Sequence, residues 1–312
     1  MSFIQVAVGV IRQGDKVLVA RRPDHVHQGG LLEFPGGKVE PGETTAQALD
    51  RELHEELGIR VAAEAISPLI GIRHDYGDKR VFLDVCLIDS YSGEPHGREG
   101  QPVFWLDIAA LQDADFPAAN RPIIRALRLP DRYLITGAAE SPQSLLSRLE
   151  KVLNQHCLPL VVLRAPNLND EDYVLLAASA LTLCRRHDVR LMLHGNPQML
   201  DRVPADGVHL PWRLAADLDD RPVRDNLLLG VSCHSIEQLQ HASTLKADLA
   251  TLSPVMPTQS HPEAPPIGWS GFETAVAQSH LPVYALGGLG EADITTARQH
   301  GGRGVAAISA WW

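Results

Sequence analysis

The sequence is poor in the features that would carry a chain out of the cytosol or onto a nucleic acid. It has only four cysteines in 312 residues, Cys86, Cys157, Cys184 and Cys233. They lie far apart with no C-x-x-C pair, a spacing that fits reduced thiols packed as small hydrophobes in a reducing compartment. No apolar run approaches the roughly 18–20 residues of a membrane span. No segment joins a basic stretch, a long apolar run and a small-residue cleavage site, so a cytoplasmic chain without a membrane partner is expected. Low-complexity tracts and short repeats are lacking. So is any excess of positive charge: 28 Lys and Arg face 38 Asp and Glu, a formal net charge of −10. That balance argues against stable binding of nucleic acid through a basic surface. A polyanionic substrate would gain nothing from the overall field and would have to be held by local cations, a divalent metal and a few arginines.

What is present divides in two, as the length suggests. Residues 3–11 and 16–21 have the pattern of two strands around the turn Arg12-Gln13-Gly14-Asp15. A Gly/Pro-rich stretch follows, Gly29-Gly30 and then Pro35-Gly36-Gly37. The spacing of Ala48, Leu49, Leu53 and Leu57 predicts a helix over 44–57 that stops at Gly58. Strands at 68–74, 80–88 and 102–106 and a helix near 119–128 complete a mixed α+β domain, residues 1–129. Pro130-Asp131-Arg132 is the expected linker. From 133 to 312 the pattern becomes regular. Strands at 133–136, 158–164, 190–194, 207–210, 227–233, 249–255, 282–287 and 304–309 alternate with helical segments, clearest at 142–156, 171–187, 235–244 and 291–299. Eight such repeats predict a (β/α)8 barrel of the TIM type, with lean loops because about 180 residues is short for one.

The chemistry of the first domain is concentrated between Gly37 and Ile59, GKVEPGETTAQALDRELHEELGI. On a helix, Glu52 and Glu56 stand four residues apart and Glu55 stands three from Glu52, so three carboxylates share one side. Like charges this close repel unless a cation sits among them. Mg²⁺, which prefers oxygen ligands and bridges phosphates, is the expected cofactor, with Mn²⁺ as a substitute. The Pro-Gly-Gly turn allows a backbone carbonyl to approach the same ion.

These residues fill every defined position of the Nudix box: Gly37, Glu43, Arg51-Glu52-Leu53, Glu55-Glu56 and Gly58-Ile59. With VAVGVIR, ARRPD, LEFPGGK, the GEPHGREGQP loop and DFPAANRPI, residues 4–129 resemble the MutT-type Nudix hydrolases, which clear 8-oxo-dGTP from the nucleotide pool and so protect DNA replication. The resemblance implies a mixed sheet between helices. It also implies that Glu52, Glu55, Glu56, Glu99 and the Gly36 carbonyl hold the metal, and that Glu43 and Arg51 brace the helix and its loop. Asn120 would read a purine edge, with Arg22, His27 and Phe34 at or beside the nucleotide. Glu52 is the first candidate for the general base and Glu99 the second. One departure stands out: Leu83-Asp84-Val85-Cys86 occupies a strand that is aromatic-rich in these relatives, which weakens the expected discrimination for the oxidised base.

Residues 133–312 resemble the thiamine-phosphate synthase and TenI-like family through YLIT, LVVLR, ADGVHL, GVSCHS, ATLSPVMPT, PVYALGGL and GVAAISA. The resemblance implies a phosphate site at Gly287-Gly288 and Ile308-Ser309, after the seventh and eighth strands. The synthase's metal-binding Asn-Asp pair, however, falls on His194-Gly195. Its further aspartate falls near Leu214, and the basic residue of its T-x-T-K-like loop is missing from Thr258-Gln259-Ser260-His261. Synthase activity is therefore not expected. His234 matches the histidine that TenI-like relatives use to isomerise a thiazole phosphate, and a structural role at a strand end fits it equally well. His209 fits a structural role, and Trp311-Trp312 fits packing or a contact between subunits of a homo-oligomer. The leading expectation is thus a nucleotide-sanitising hydrolase fused to such a barrel. The alternatives are Nudix chemistry on a thiamine-related pyrophosphate, or a barrel that only binds a thiazole or thiamine phosphate.

Overall fold

The structure, a computed structural model, describes residues 3–25, 28–75, 77, 80–258 and 263–312. The chain divides into two compact units, Met1–Leu129 and Pro130–Trp312. No helix among the described residues is long and apolar enough to cross a membrane.

The first unit is a mixed sheet. Its strands are β1 (Ile4–Gln13), β2 (Lys16–Arg21), β3 (Leu32–Glu33), β4 (Gly36–Lys38), β5 (Ile66–Asp75), β6 (Arg80–Ile88) and β7 (Val103–Asp107). β1 pairs in parallel with β6 and antiparallel with β2 and β4, while β5 and β7 extend the two sides. Alternation along β1 explains the layering, because successive side chains leave a strand on opposite faces. Ala7 and Ile11 pack beneath α1 (Thr45–Leu57), whereas Val8 and Val10 pack beneath α2 (Arg121–Leu127). At Gly9 a Cβ would stand 3.1 Å from Ile88 and 3.3 Å from Leu53, so the missing side chain lets α1 lie close on the sheet.

α1 is specified at both ends. The Thr44 hydroxyl accepts from the Gln47 N–H while the Gln47 side chain accepts from the Thr44 N–H, and Gly58 closes the helix at φ 74°. Its apolar stripe of Ala48, Leu49, Leu53 and Leu57 is buried, which leaves the carboxylates on the flank facing the 36–37 turn.

The second unit is a closed barrel of eight parallel strands. These are β8 (Arg132–Ile135), β9 (Leu160–Leu163), β10 (Arg190–His194), β11 (Gly207–Leu210), β12 (Leu228–Cys233), β13 (Leu249–Leu252), β14 (Val283–Leu286) and β15 (Gly304–Ala307). The outer layer comprises α3 (Pro142–Gln155), α4 (Asp170–Arg186), α5 (Trp212–Ala215), α6 (Ile236–Thr244), α7 (Gly268–Val276) and α8 (Ile294–Gln299). Each strand is a short apolar run because both faces are covered. Three features differ from the sequence expectation. α7 begins among Gly268, Trp269 and Gly271, where helical periodicity is weak, and α5 is a single turn, which is where the barrel economises. Arg132, expected in the linker, already belongs to β8. Inside the barrel the Tyr133 hydroxyl and His209 Nδ1 lie 2.9 Å apart, and His209 Nε2 lies 2.9 Å from the Ser232 hydroxyl. Gly230 is confined beside the His209 ring, where a Cβ would collide with it.

Candidate functional site

In the first unit, the turn after β3 and the flank of α1 bring the carboxylates together. Gly36 adopts φ 141°, a conformation open to glycine, and its N–H donates to Glu56 Oε2 at 3.1 Å. A side chain at Gly37 would collide with the Glu52 carboxylate, so that group lies directly on the backbone of the turn. Glu56 is pushed up to about 8, first by burial and then by the nearby charges of Glu33, Glu52 and Glu99, against the pull of the Gly36 N–H.

Glu99 reaches this place because its loop docks on the end of α1. The N–H groups of His96 and Arg98 donate to the Leu57 and Glu56 carbonyls, and the Gln101 amide donates to the Glu56 carbonyl at 3.1 Å. These bonds satisfy carbonyls that a helix end leaves open. Gln101 also accepts from the Glu99 N–H at 2.9 Å.

Arg51 organises the other side. It meets Glu43 with two bonds, at 2.8 and 2.9 Å, donates to the Lys38 carbonyl at 3.0 Å, and donates to Glu52 at 2.8 Å. Glu55, more exposed, lies 3.6 Å from the same guanidinium. The Arg51 bonds hold Glu43 down at about 2, with the Glu40 N–H adding to the effect.

The donor chemistry of these residues fits a divalent cation. All are oxygen donors, the set a hard ion such as Mg²⁺ requires. The half-buried Glu56, in the field of three other carboxylates, has the electrostatic environment that such an ion would relieve. Among the described residues no three acidic or His/Cys groups are already converged as a ligand set. The geometry gives the reason: Arg51 holds Glu52 and draws Glu55, so both would turn from it to reach an ion.

The proposed nucleotide residues are dispersed around the far end of β3. Arg22 forms an ion pair with Glu33. Glu33 is raised from its usual range, because burial outweighs the pull of Arg22. Phe34 is buried and stacks on Phe116, centroids 5.4 Å apart, so it is a wall more than an open contact. Asn120 follows on a short turn, Ala118–Asn120, and is half-buried at the start of α2, yet its side chain makes no capping bond there. Leu83 and Val85 lie in the same apolar cluster as Phe34. His27 falls outside the described residues. Sequence reasoning had missed Glu33 and Gln101; the run LEFPGGK contained the first, but nothing in spacing alone showed that it faces Glu56.

In the second unit a cavity of about 710 Å³ opens at the carboxyl ends of the strands, and Gly287, Gly288, Ile308, Ser309 and His234 all line it. His234 is exposed; its Nδ1 lies 2.9 Å from the Ser253 carbonyl, so the bonding tautomer carries its proton there and leaves Nε2 available. His209 is buried at the base of the cavity and lowered to about 3, chiefly by burial. Among the described residues that line it, none is acidic. Gln259, Ser260 and His261 fall outside the described residues.

Two family models match the chain. One, described as thiamine monophosphate synthase, covers residues 132–311. The other, the NUDIX domain, covers residues 7–126. The 8-oxo-dGTP diphosphatase of Escherichia coli K12 is 40% identical over 129 residues, 41% of this chain and 98% of that protein. A CTP pyrophosphohydrolase of the same organism is 32% identical over 126 residues, 40% of this chain and 92% of that one. A putative thiamine-phosphate synthase of Aquifex aeolicus VF5 is 34% identical over 183 residues, 59% of this chain and 98% of that protein. The chain therefore belongs to two families at once: its first unit is a Nudix enzyme, a hydrolase of phosphoric anhydrides, and its second is a member of the thiamine monophosphate synthase/TenI family.

Proposed function

We propose that the first unit is a Mg²⁺-dependent pyrophosphohydrolase that converts 8-oxo-dGTP to 8-oxo-dGMP and pyrophosphate. The observation that carries this reading is the placement of Glu52 and Glu56 against the Gly36–Gly37 turn, with the half-buried Glu56 in the field of Glu33, Glu52 and Glu99. Glu52, Glu55, Glu56, Glu99 and the Gly36 carbonyl would hold the ion, or Mn²⁺ in its place. When bound, a divalent cation supplies charge neutralisation at the phosphates and lowers the pKa of water. Glu52 takes the proton from the water that attacks the β-phosphorus, with Glu99 as second candidate; the bond from that phosphorus to the oxygen bridging to the α-phosphorus breaks, so the monophosphate leaves and the β- and γ-phosphates end as pyrophosphate. Arg51 keeps Glu52 near the turn, and Glu43 keeps Arg51 in place. Asn120, whose amide is not spent on capping α2, supplies a donor and an acceptor to the purine edge.

The second unit, in this reading, binds a phosphorylated ligand and does not form thiamine phosphate. The support is the wall of its cavity, whose described residues include no carboxylate to hold the metal that a pyrophosphate-displacing synthase needs. The retained glycine turn supports a thiazole or thiamine phosphate as the ligand class.

The test is pyrophosphate release with Mg²⁺ from 8-oxo-dGTP, dGTP, CTP and thiamine pyrophosphate, compared by kcat/KM. Preference for 8-oxo-dGTP is expected. Preference for CTP or thiamine pyrophosphate, or equal turnover of dGTP and its oxidised form, would overturn the substrate assignment.

A further inference from the structure

Trp311 and Trp312, one candidate for a contact between subunits, are occupied within the barrel. Trp311 is buried, and the Trp312 indole donates to the Ala138 carbonyl at 3.2 Å while its ring lies beside the Arg148 guanidinium. An unpartnered surface lies on α4 instead. Leu175 is 68% exposed, the most of any large apolar side chain described. One exposed leucine is ordinary, but the helix around it is not. From Tyr173 to Cys184 α4 carries no charged residue, whereas the exposed side of α3 bears Arg148, Glu150 and Lys151.

At helical spacing the exposed Glu171, Leu175, Ala178, Ser179, Thr182 and Arg186 fall on one stripe. The Ser179 and Thr182 hydroxyls donate to the Leu175 and Ala178 carbonyls, each at 3.0 Å, so their donors are satisfied and the middle of the stripe is small and weakly polar. The stripe is also symmetric about the midpoint between Ala178 and Ser179. Leu175 stands as far before that point as Thr182 stands after it, and Glu171 as far before it as Arg186 after it. A second α4 laid antiparallel on the first therefore sets Leu175 opposite the partner's Thr182 and Glu171 opposite the partner's Arg186. Every such pair occurs twice, as a two-fold interface requires. Parallel packing would set glutamate against glutamate and arginine against arginine. The helix ends agree, with Asp170, Glu171 and Asp172 in the first turn and Arg185 and Arg186 in the last. Within its own barrel Glu171 meets Arg202 at 2.7 Å and Arg186 meets Glu150 at 3.7 Å. Antiparallel contact brings one of these pairs from each copy to each end of the helix, two cations with two carboxylates.

We propose that α4 is the contact face of a homodimer in which two copies of this chain pack their α4 helices antiparallel, centred on Ala178 and Ser179. Small side chains at the centre let the two axes approach to about 8–10 Å. A face about 25 Å long and 10 Å wide is smaller than a standard interface of roughly 1,200–2,000 Å², so association is reversible, with Kd in the range of about 1–100 μM.

The experiment is sedimentation velocity of the full chain across that concentration range, where a shift from monomer to dimer is expected. Glu171→Arg sets arginine against arginine at both ends and should weaken association at least about tenfold. Arg186→Glu should do the same, and the two together should restore the dimer. Leu175→Glu should leave a monomer. All three positions are exposed, so the barrel's thermal transition should not move. The place of the contact is read by cross-linking. Cys157 is the exposed thiol among the four, so a Cys157→Ser background removes its reaction. In that background Ser179→Cys should give a disulfide-linked dimer with oxidised glutathione, and Ser147→Cys on the exposed side of α3 should not. A monomer at every concentration, a dimer indifferent to Glu171→Arg and Leu175→Glu, or a link formed from position 147 and not from 179 would each overturn the α4 interface.

Discussion

At the scale of single residues, the first unit separates two jobs that a glutamate can perform. Glu43 is held low by Arg51 and serves as a strut, whereas Glu52 lies against the glycine turn and is the base in the proposed mechanism. Glu52→Gln preserves the bond from Arg51 but removes the proton acceptor. It should lower kcat by about 10²–10⁴-fold with little change in thermal stability, measured by pyrophosphate release beside a melting curve. Near-normal turnover would exclude Glu52 and leave Glu99 as the base. Asn120 offers the complementary test. Its side chain caps nothing, so Asn120→Ala should leave the unfolding transition unmoved while lowering kcat/KM for 8-oxo-dGTP by about 10–100-fold, the cost of roughly 1–3 kcal/mol of unmade hydrogen bonds. An unchanged kcat/KM would remove Asn120 from base recognition. Leu83 and Val85 share an apolar cluster with Phe34; if that cluster borders the base, the loss should extend to dGTP.

At the scale of elements, α1 was legible in the sequence almost to the residue from an apolar stripe at helical spacing and a glycine stop, and the capping box at Thr44 agrees with both. The strands of the barrel were legible for a similar reason, as short apolar runs between polar helices. What could not be read was contact between distant segments. Glu33 turns toward Glu56, and Gln101 ties its loop to the end of α1, through tertiary packing that leaves no periodic trace. The same holds for Arg221, in the loop between α5 and β12. Its guanidinium is buried, donates to Asp248 Oδ2 at 2.7 Å and to the Leu227 carbonyl at 2.6 Å, and the same Asp248 oxygen accepts from the Leu229 N–H. The pair thus fastens the β11–β12 connection to β12 and β13. Arg221→Ala would remove the guanidinium that neutralises the buried Asp248 carboxylate, and the barrel should lose about 3–5 kcal/mol, read from denaturant unfolding. A loss below about 1 kcal/mol, typical of an exposed pair, would show that the connection is held by other contacts.

At the scale of the whole chain, the two units have separate cores and carry buried titratable groups shifted in opposite senses. Glu56 is raised to about 8, so without metal the folded first unit keeps a proton that the unfolded chain releases near its ordinary 4.5. The folded state binds more protons between those values, and linkage then makes stability fall as pH rises. The contribution of Glu56 is complete below about 4.5 and gone above about 8. His194 and His209 are lowered to about 4 and about 3 from an ordinary 6.5, so in the barrel it is the unfolded chain that binds more protons on acidification. The barrel should therefore weaken as pH falls below about 6.5 and be indifferent above it. Calorimetry in EDTA should show two transitions, one moving down in temperature as pH rises from 5 toward 8 and the other moving down as pH falls toward 4, within the windows those pKa values set. Addition of Mg²⁺ should raise the first transition, most strongly at the alkaline end where Glu56 is already ionised, and release protons below it. It should leave the barrel's transition where it was, because no carboxylate lines that cavity among the described residues. If Mg²⁺ stabilised both transitions, or neither, the assignment of the cation to the first unit alone would be wrong.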